Sequence, residues 1–266
     1  MQRDCLNLRH KPIYMQLTLR FQTAPNLPPP YAYQYELVLQ SLPEALHADL
    51  KLTYLDREEL DAEEIEAEGF TTNDNYAWAG ELDNIWQEQA ETLLKKTDLK
   101  TYDNQNDNQD FIELEWPTDN EKAVGSPQNH RDWLYLAQEM LQAIFETSGK
   151  ERAFELAVLQ NSDDKASVEA SMTASFSRRS AQIRRVENGI SSLRYYAWHA
   201  LPELMETLYA PDYEMDNVPT QKPTHKGLFI NLGDGTWYEV GKHVVEPSRQ
   251  SKTLVRLRKM LFGLLG

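Results

Sequence analysis

The chain has 266 residues, of which 41% are hydrophobic and 10% aromatic, and this globular composition excludes wholesale disorder. No apolar run approaches the ~20 residues of a membrane-spanning helix, and residues 1–12 lack the apolar stretch of a secretory signal. Cys5 is the single cysteine, so the chain cannot form an internal disulfide. These features predict a cytoplasmic protein without a membrane span.

The net charge of -15 is confined to the first half of the chain. Residues 1–125 contain 10 Lys+Arg and 25 Asp+Glu, whereas residues 126–266 contain 17 of each kind. An acidic surface repels nucleic acid and attracts basic groups. The sequence therefore predicts no nucleic-acid partner. It leaves two interpretations of the acidic half open, a basic protein partner or solubility alone.

Alternating apolar residues predict three strands near the N-terminus, at 14–21, 31–39 and 50–54. Because the links between them are short, they favour an antiparallel meander. Tyrosines at alternate positions form a row in the second of these strands. The row predicts a half-buried packing face, with base stacking as the alternative.

The segment 56–68 contains eight acidic residues and a single base, Arg57, and is predicted to form a solvated helix. The large aromatics in the loop that follows are expected to fasten it to the body of the protein, or else to anchor a partner. A helix is predicted for 81–96. Residues 104–115 resemble a calcium-binding loop, but Gln109 stands where glycine is required.

The most regular pattern in the chain runs from residue 126 to residue 200. Ser126 and Pro127 have the chemistry of a helix start, and an apolar stripe continues from them until Gly149. The period then changes to two. It predicts successive strands, and Asn188-Gly189 is the turn of a hairpin.

A short helix is predicted for 202–209, followed by a second hairpin around Gly233-Asp234-Gly235. The tail, 248–266, has five bases and no acid, with leucines spaced along one helical face. We expect this basic amphipathic helix to dock on the acidic half of its own chain. Exchange of the tail in a homodimer and binding to a membrane surface are the alternatives.

The sequence contains no recognisable catalytic or cofactor motif. It lacks a phosphate-binding glycine loop, a nucleophile elbow and a His-Glu-x-x-His zinc signature, and its six histidines are not spaced as local metal ligands. The sequence therefore predicts no cofactor and no metal. The sequence leaves both an enzyme and a non-catalytic protein open.

Two groups of residues are candidate sites. Arg185 and Arg194 share a face of the predicted hairpin, where they could hold a carboxylate or phosphate or form ion pairs with the acidic half. Beside them, Trp198 is a candidate ligand contact. His199 is a candidate general base with Glu203 as its orienting partner, although a lone histidine is more often structural.

We predict an α+β fold with mostly antiparallel sheets and a few amphipathic helices. Residues 1–125 are expected to form an acidic sheet-plus-helix half, and residues 126–266 to form a helix, antiparallel strands and the basic C-terminal helix, the two halves being separate or continuous. The favoured function is a non-catalytic interaction protein. The alternative is a binder of an anionic small molecule, or an enzyme, that uses the arginine hairpin and His199.

Overall fold

The computed structural model describes residues 15–101, 108–119, 121–163 and 166–266. The chain divides into two compact units, unit 1 (Met1–Ser148) and unit 2 (Gly149–Gly266). The described ranges contain three antiparallel sheets and five α-helices, which confirms the predicted α+β class. The first positions of the calcium-like pattern, and Cys5, lie outside these ranges.

Unit 1 is built on a seven-stranded antiparallel sheet. In chain order its strands are β1 (Gln16–Gln22), β2 (Tyr33–Ser41), β3 (Ala45–Tyr54), β4 (Tyr76–Asp83), β5 (Leu99–Lys100), β6 (Phe111–Pro117) and β7 (Lys122–Pro127). Their order across the sheet is β4-β3-β2-β1-β6-β7-β5. The first three strands and their antiparallel meander are those expected from the alternating apolar residues.

Three helices belong to unit 1: α1 (Ala62–Ala67), α2 (Asn84–Leu94) and α3 (His130–Thr147). Helices α2 and α3 contact each other and cover one face of the sheet. Their tryptophans Trp86 and Trp133 are fully buried, and the indole N–H of Trp133 donates to Thr97 Oγ1 at 2.8 Å. The apolar stripe that predicted α3 therefore forms part of the core of unit 1.

Two predicted elements of unit 1 are wrong at their boundaries. Residues 76–83, assigned to a loop and a helix start, form β4 because they pair with β3 along their whole length. Ser126 and Pro127 end β7 and pair with β5, and Ser126 Oγ donates to the Ile112 carbonyl at 3.0 Å. Helix α3 starts only at His130, so strand pairing overrides the local helix-start chemistry.

Helix α3 belongs with the first unit. Unit 1 ends at Ser148, after this helix, whereas the predicted boundary at residue 125 lies before it. The physical reason is packing, because α3 contacts α2, β4, β6 and β7. Gly149, the expected left-handed residue after the helix, has φ +74°.

Unit 2 contains a six-stranded sheet and a two-stranded one. Its strands are β8 (Phe154–Asn161), β9 (Val168–Ser175), β10 (Ser180–Glu187), β11 (Ile190–Tyr196), β12 (Asp212–Tyr213), β13 (Gly227–Asn231), β14 (Tyr238–Glu239) and β15 (Val244–Val245). The larger sheet has the order β11-β10-β9-β8-β13-β14, and β12 pairs with β15. The hairpin predicted at Asn188-Gly189 joins β10 to β11, with φ +51° and +76° at the two turn residues.

Two helices, α4 (Leu201–Tyr209) and α5 (Thr253–Leu265), complete unit 2. The basic tail forms α5, which packs on β8, β9 and α4. Its leucines Leu257, Leu261 and Leu264 are buried in the unit 2 core. The tail thus docks in cis on the sheet of its own unit, and the expected docking on the acidic half stays a prediction. Across the described residues, no helix is long and apolar enough to cross a membrane.

Apart from α1 and β5 in unit 1 and β12 and β15 in unit 2, the two units have the same order of helices and strands. Each begins with a four-stranded meander, continues with a helix, adds two strands beside the first strand of the meander, and ends with a helix. Thus β1, β6 and β7 correspond to β8, β13 and β14, and α2 and α3 correspond to α4 and α5. Each unit therefore encloses its own core between one sheet face and two helices.

Replacing Gly189 by alanine should destabilise unit 2 by about 1 kcal/mol, because an L-residue is strained at positive φ. Gly263→Ala is the matched control, since Gly263 lies in α5 and an added Cβ would meet no atom within 4 Å. The control should be neutral or stabilise by roughly 0.5 kcal/mol. Chemical denaturation measures both values. Equal effects of the two substitutions would contradict the turn assignment.

Candidate functional site

The arginine hairpin is placed by the register of β10 and β11. Ile183 lies opposite Arg194, and Arg185 lies opposite Ser192. Directly opposed residues in an antiparallel ladder point to the same face, and so do alternate residues of one strand. Arg185 and Arg194 therefore share one face of the sheet, as predicted. Ile183 lies on the same face and is buried in the core.

Both guanidinium groups contact the C-terminal end of α5. Nη2 of Arg194 donates to the carbonyls of Gly263 at 2.7 Å and Leu264 at 3.0 Å. Nε of Arg185 donates to the Leu265 carbonyl, and its Nη2 pairs with Glu187 at 2.7 Å. The last carbonyls of a helix lack intrahelical donors and carry partial negative charge. The hairpin arginines therefore cap α5.

The other predicted site residues lie nearby in sequence but contact different groups. His199 is exposed in a short 3-10 turn, Trp198–Ala200. The Trp198 ring packs edge-on against Phe176 with centroids 5.1 Å apart. The carboxylate of Glu203 pairs with Arg256 of α5 at 3.3 Å. Glu203 thus forms an exposed ion pair between α4 and α5, and its orienting role toward His199 stays a prediction.

The acidic segment 56–68 lies on the surface of unit 1. It contains a 3-10 turn, Arg57–Glu59, followed by α1. The Asp61 carboxylate accepts from the backbone N–H of Glu64, and the Glu64 side chain accepts from the backbone N–H of Asp61, which starts the helix. All eight acidic side chains of the segment are exposed. The sequence expected a solvated acidic helix here, and α1 is the helical part of the segment.

The one base of this segment, Arg57, is buried. Its guanidinium lies 3.8 Å from the centroid of the Tyr54 ring and 4.9 Å from that of Phe70. It donates to the carbonyl of Pro30 and to the carboxylate of Asp74. A buried cation is tolerated only when it is paired and hydrogen-bonded. Arg57 therefore fastens the acidic segment to the sheet and leaves no exposed positive charge within it.

A series of packed aromatic rings also connects the loop after α1 to the sheet of unit 1. The centroids of consecutive rings lie 4.9–5.9 Å apart in the series Tyr35, Phe21, Tyr33, Tyr54, Phe70 and Tyr31. Such spacing is that of packed aromatic pairs. The tyrosine row is thus a packing face, and Phe70 fastens the loop after α1 to it, as the sequence favoured.

A depression of about 330 Å³ opens beside Arg57. Its lining combines an apolar part with polar groups at the acidic segment: Tyr54, Arg57, Glu58, Leu60, Ile65, Thr72 and Asn75. Leu60 and Ile65 are the two large apolar residues of the acidic segment, and Glu58 is one of its exposed acids. We refer to this feature, together with the eight exposed acids, as the acidic groove. It can accept a long side chain whose stem is apolar and whose end is positively charged.

The sequence did not identify Asp74 as a residue of this site. Its carboxylate accepts from Thr71 Oγ1 at 2.6 Å and from the Thr71 backbone N–H at 2.9 Å, in addition to Arg57. Burial acts to raise the pKa of Asp74, but these hydrogen bonds and Arg57 outweigh it and lower the pKa to about 2. The only available signal was the single base in an acidic segment, which needs a partner if it is buried.

Among the described residues, no group of three or more His, Cys, Asp or Glu side chains is arranged to hold a metal ion. No protein-family model, curated protein or solved structure matches this chain.

Asp74→Asn should make unit 1 less stable at neutral pH and remove part of its acid sensitivity. Because the pKa of Asp74 is lowered to about 2 in the folded state, its contribution is complete above an unfolded pKa of about 3.9 and is lost as pH falls toward 2. The difference in unfolding free energy between wild type and variant should shrink across this interval. Urea denaturation between pH 2 and 7 measures it, and a constant difference would contradict the assignment.

Arg194→Met should destabilise the protein by about 1 kcal/mol, because two carbonyls at the end of α5 lose their donor. Arg184→Met is the matched control. It removes the same charge from the same hairpin, but Arg184 points to the other face and donates to Ser191 Oγ. The control should change stability by less than roughly 0.5 kcal/mol. Equal losses would show that general charge, and not helix capping, is responsible.

Proposed function

We propose that this protein is a non-catalytic interaction protein whose acidic groove binds a basic protein partner. The observation that carries the proposal is the combination of eight exposed carboxylates with a buried, already paired Arg57. The negative charge of this segment is therefore not offset by a base of its own at the surface. Charge of one sign steers a partner of the opposite sign and favours its approach.

The division of charge between the units supports the same partner chemistry. Unit 1 contains 11 Lys+Arg and 28 Asp+Glu, whereas unit 2 contains 16 and 14. A basic partner is thus attracted to unit 1 and not to unit 2. The same charge disfavours nucleic acid, whose phosphates need lysine and arginine.

The depression in the acidic groove supplies a place for one side chain of the partner. A lysine or arginine could lay its methylene stem against Leu60 and Ile65 while its charged end meets Glu58 and its acidic neighbours. The interaction uses charge and shape and requires no reacting group. We place it in the cytoplasm, where a protein with a single cysteine has no need of disulfides.

The alternative function is binding or conversion of an anionic small molecule at Arg185, Arg194 and His199. The contacts of the hairpin weigh against it, because both arginines already donate to the end of α5. An anion would have to displace these carbonyls. If inorganic phosphate raised the melting temperature of wild type but not of Arg194→Met, the alternative would gain the support that it now lacks.

Binding can be measured with a fluorescent peptide of alternating lysine and leucine. The triple variant E58Q/E59Q/E63Q should bind it about ten-fold more weakly, since each exposed charge pair contributes up to ~1 kcal/mol and tenfold corresponds to 1.4 kcal/mol. These three acids lie outside the Asp61–Glu64 capping pair, so folding should be preserved. Binding should also weaken as salt is added.

The matched control is the triple variant E44Q/E81Q/D119N, which removes the same charge from exposed positions of unit 1 outside the acidic groove. It should retain most of the affinity. Equal weakening by the two triple variants would assign binding to the overall charge of unit 1 and reject the acidic groove. Failure of wild type to bind the basic peptide better than a glutamate–leucine peptide would reject the proposed function itself.

A further inference from the structure

Strand β11 is the edge of the unit 2 sheet, and its side chains are unusually exposed. In the described part of the chain it pairs only with β10. Ile190, Leu193 and Tyr195 are 75%, 63% and 76% exposed. Long edge strands with exposed apolar residues pair readily with another strand, and proteins usually protect them with charges, proline, bulges or short length.

Strand β11 lacks this protection. Its seven residues include one charge, Arg194, and no proline. The Arg194 guanidinium donates to the carbonyls of Gly263 and Leu264, so its charge does not protect the strand edge against pairing with another strand. By contrast β4, the edge strand in the same position of unit 1, carries Glu81 and Asp83. The two units have the same strand order, but only one of these two edges is left without acidic residues.

The register of the hairpin determines which backbone groups are available. A two-residue turn is flanked by a hydrogen-bonded pair, here Glu187 and Ile190, and bonded pairs then alternate along the ladder. The backbone groups of Ile190, Ser192, Arg194 and Tyr196 therefore point toward β10. Those of Ser191, Leu193 and Tyr195 point away from it, so three N–H and three C=O groups line the outer edge.

We propose that β11 pairs antiparallel with β11 of a second copy of this chain, about a two-fold axis at Leu193. This register uses every outward backbone group, because Leu193 meets Leu193 of the other copy and Ser191 meets Tyr195. Between these pairs, Arg194 faces Ser192 and Ile190 faces Tyr196. No like charges are opposed, and the central contact is apolar. The edge is therefore self-complementary, as a two-fold interface requires.

The charge of the chain favours the same surface. Two copies carrying -15 each repel one another, and unit 2 is the part that carries almost no net charge. A pair of seven-residue strands is a small interface, so we expect a weak, reversible dimer that strengthens as salt screens the repulsion. This interface belongs to unit 2, whereas the acidic groove belongs to unit 1, and its test does not depend on a basic partner.

Light scattering on the eluting full-length chain should give a mass that rises with concentration toward twice 30.8 kDa. Leu193→Lys should increase the dissociation constant at least ~10-fold, because it opposes two like charges at the centre of the pair and removes the apolar contact. Val255→Lys is the matched control. It replaces an exposed apolar residue of α5, 67% accessible, with the same charge and should leave the dimer intact.

A cross-link tests the register itself in a Cys5→Ser background. In Leu193→Cys the two copies of residue 193 lie ~5.5 Å apart between Cα atoms, within disulfide range, so oxidation should give a covalent dimer. Tyr195→Cys is the control on the same strand. Its two copies would lie four residues out of register, ~13 Å apart, and should not cross-link.

Rapid cross-linking of Leu193→Cys alone, together with monomerisation by Leu193→Lys, would establish the β11 pair. A monomeric wild type throughout the micromolar range would overturn the proposal. So would a dimer that Leu193→Lys and Val255→Lys affect equally, or equal cross-linking at positions 193 and 195. Circular dichroism of each variant distinguishes loss of the dimer from loss of the fold.

Discussion

Each of the two larger sheets has one apolar face, and each unit has two helices that exclude water from it. This constraint accounts for most of the architecture. In unit 1 the fully buried tryptophans of α2 and α3 lie on the sheet, and in unit 2 the leucines of α5 do the same. Burying one large apolar side chain contributes on the order of 2 kcal/mol, far more than an exposed ion pair. Removing α3 from unit 1 or α5 from unit 2 would therefore expose part of an apolar sheet face.

Because α5 covers a sheet face and ends there, the arginines that the sequence suggested as a ligand site have a structural role. A helix that ends over a sheet presents carbonyl groups without donors, and it needs a cation or a donor at that point. Arg185 and Arg194 meet this need for α5. Arg57 is the corresponding case in unit 1, where a buried guanidinium with several acceptors holds an acidic segment that would otherwise repel itself. In each place a positive charge is used to fix the fold.

Each unit exposes one surface feature that neither core packing nor helix capping uses, and a partner can recognise these two features. In unit 1 it is negative charge beside a depression with an apolar lining, and in unit 2 it is an edge strand with three outward-facing backbone positions. These surfaces differ in chemistry, one acting by charge and the other by backbone hydrogen bonds and apolar contact. Their presence in different units allows binding of a partner and self-association to be tested independently.

The sequence by itself determined features that depend on neighbouring residues. Alternation predicted β1, β2, β8 and β9, and the Asn188-Gly189 turn predicted the register that brings Arg185 and Arg194 to one face. Tertiary structure decided features that depend on distant pairing. Ser126 and Pro127 became the end of a strand because β5 and β6 were available to pair with β7, although their local chemistry favours a helix. Tertiary structure also decided the partners of the site residues. The hairpin arginines bind the end of α5, and Arg57 binds Asp74. These partners are too far apart along the chain for a periodic sequence pattern to predict the contact.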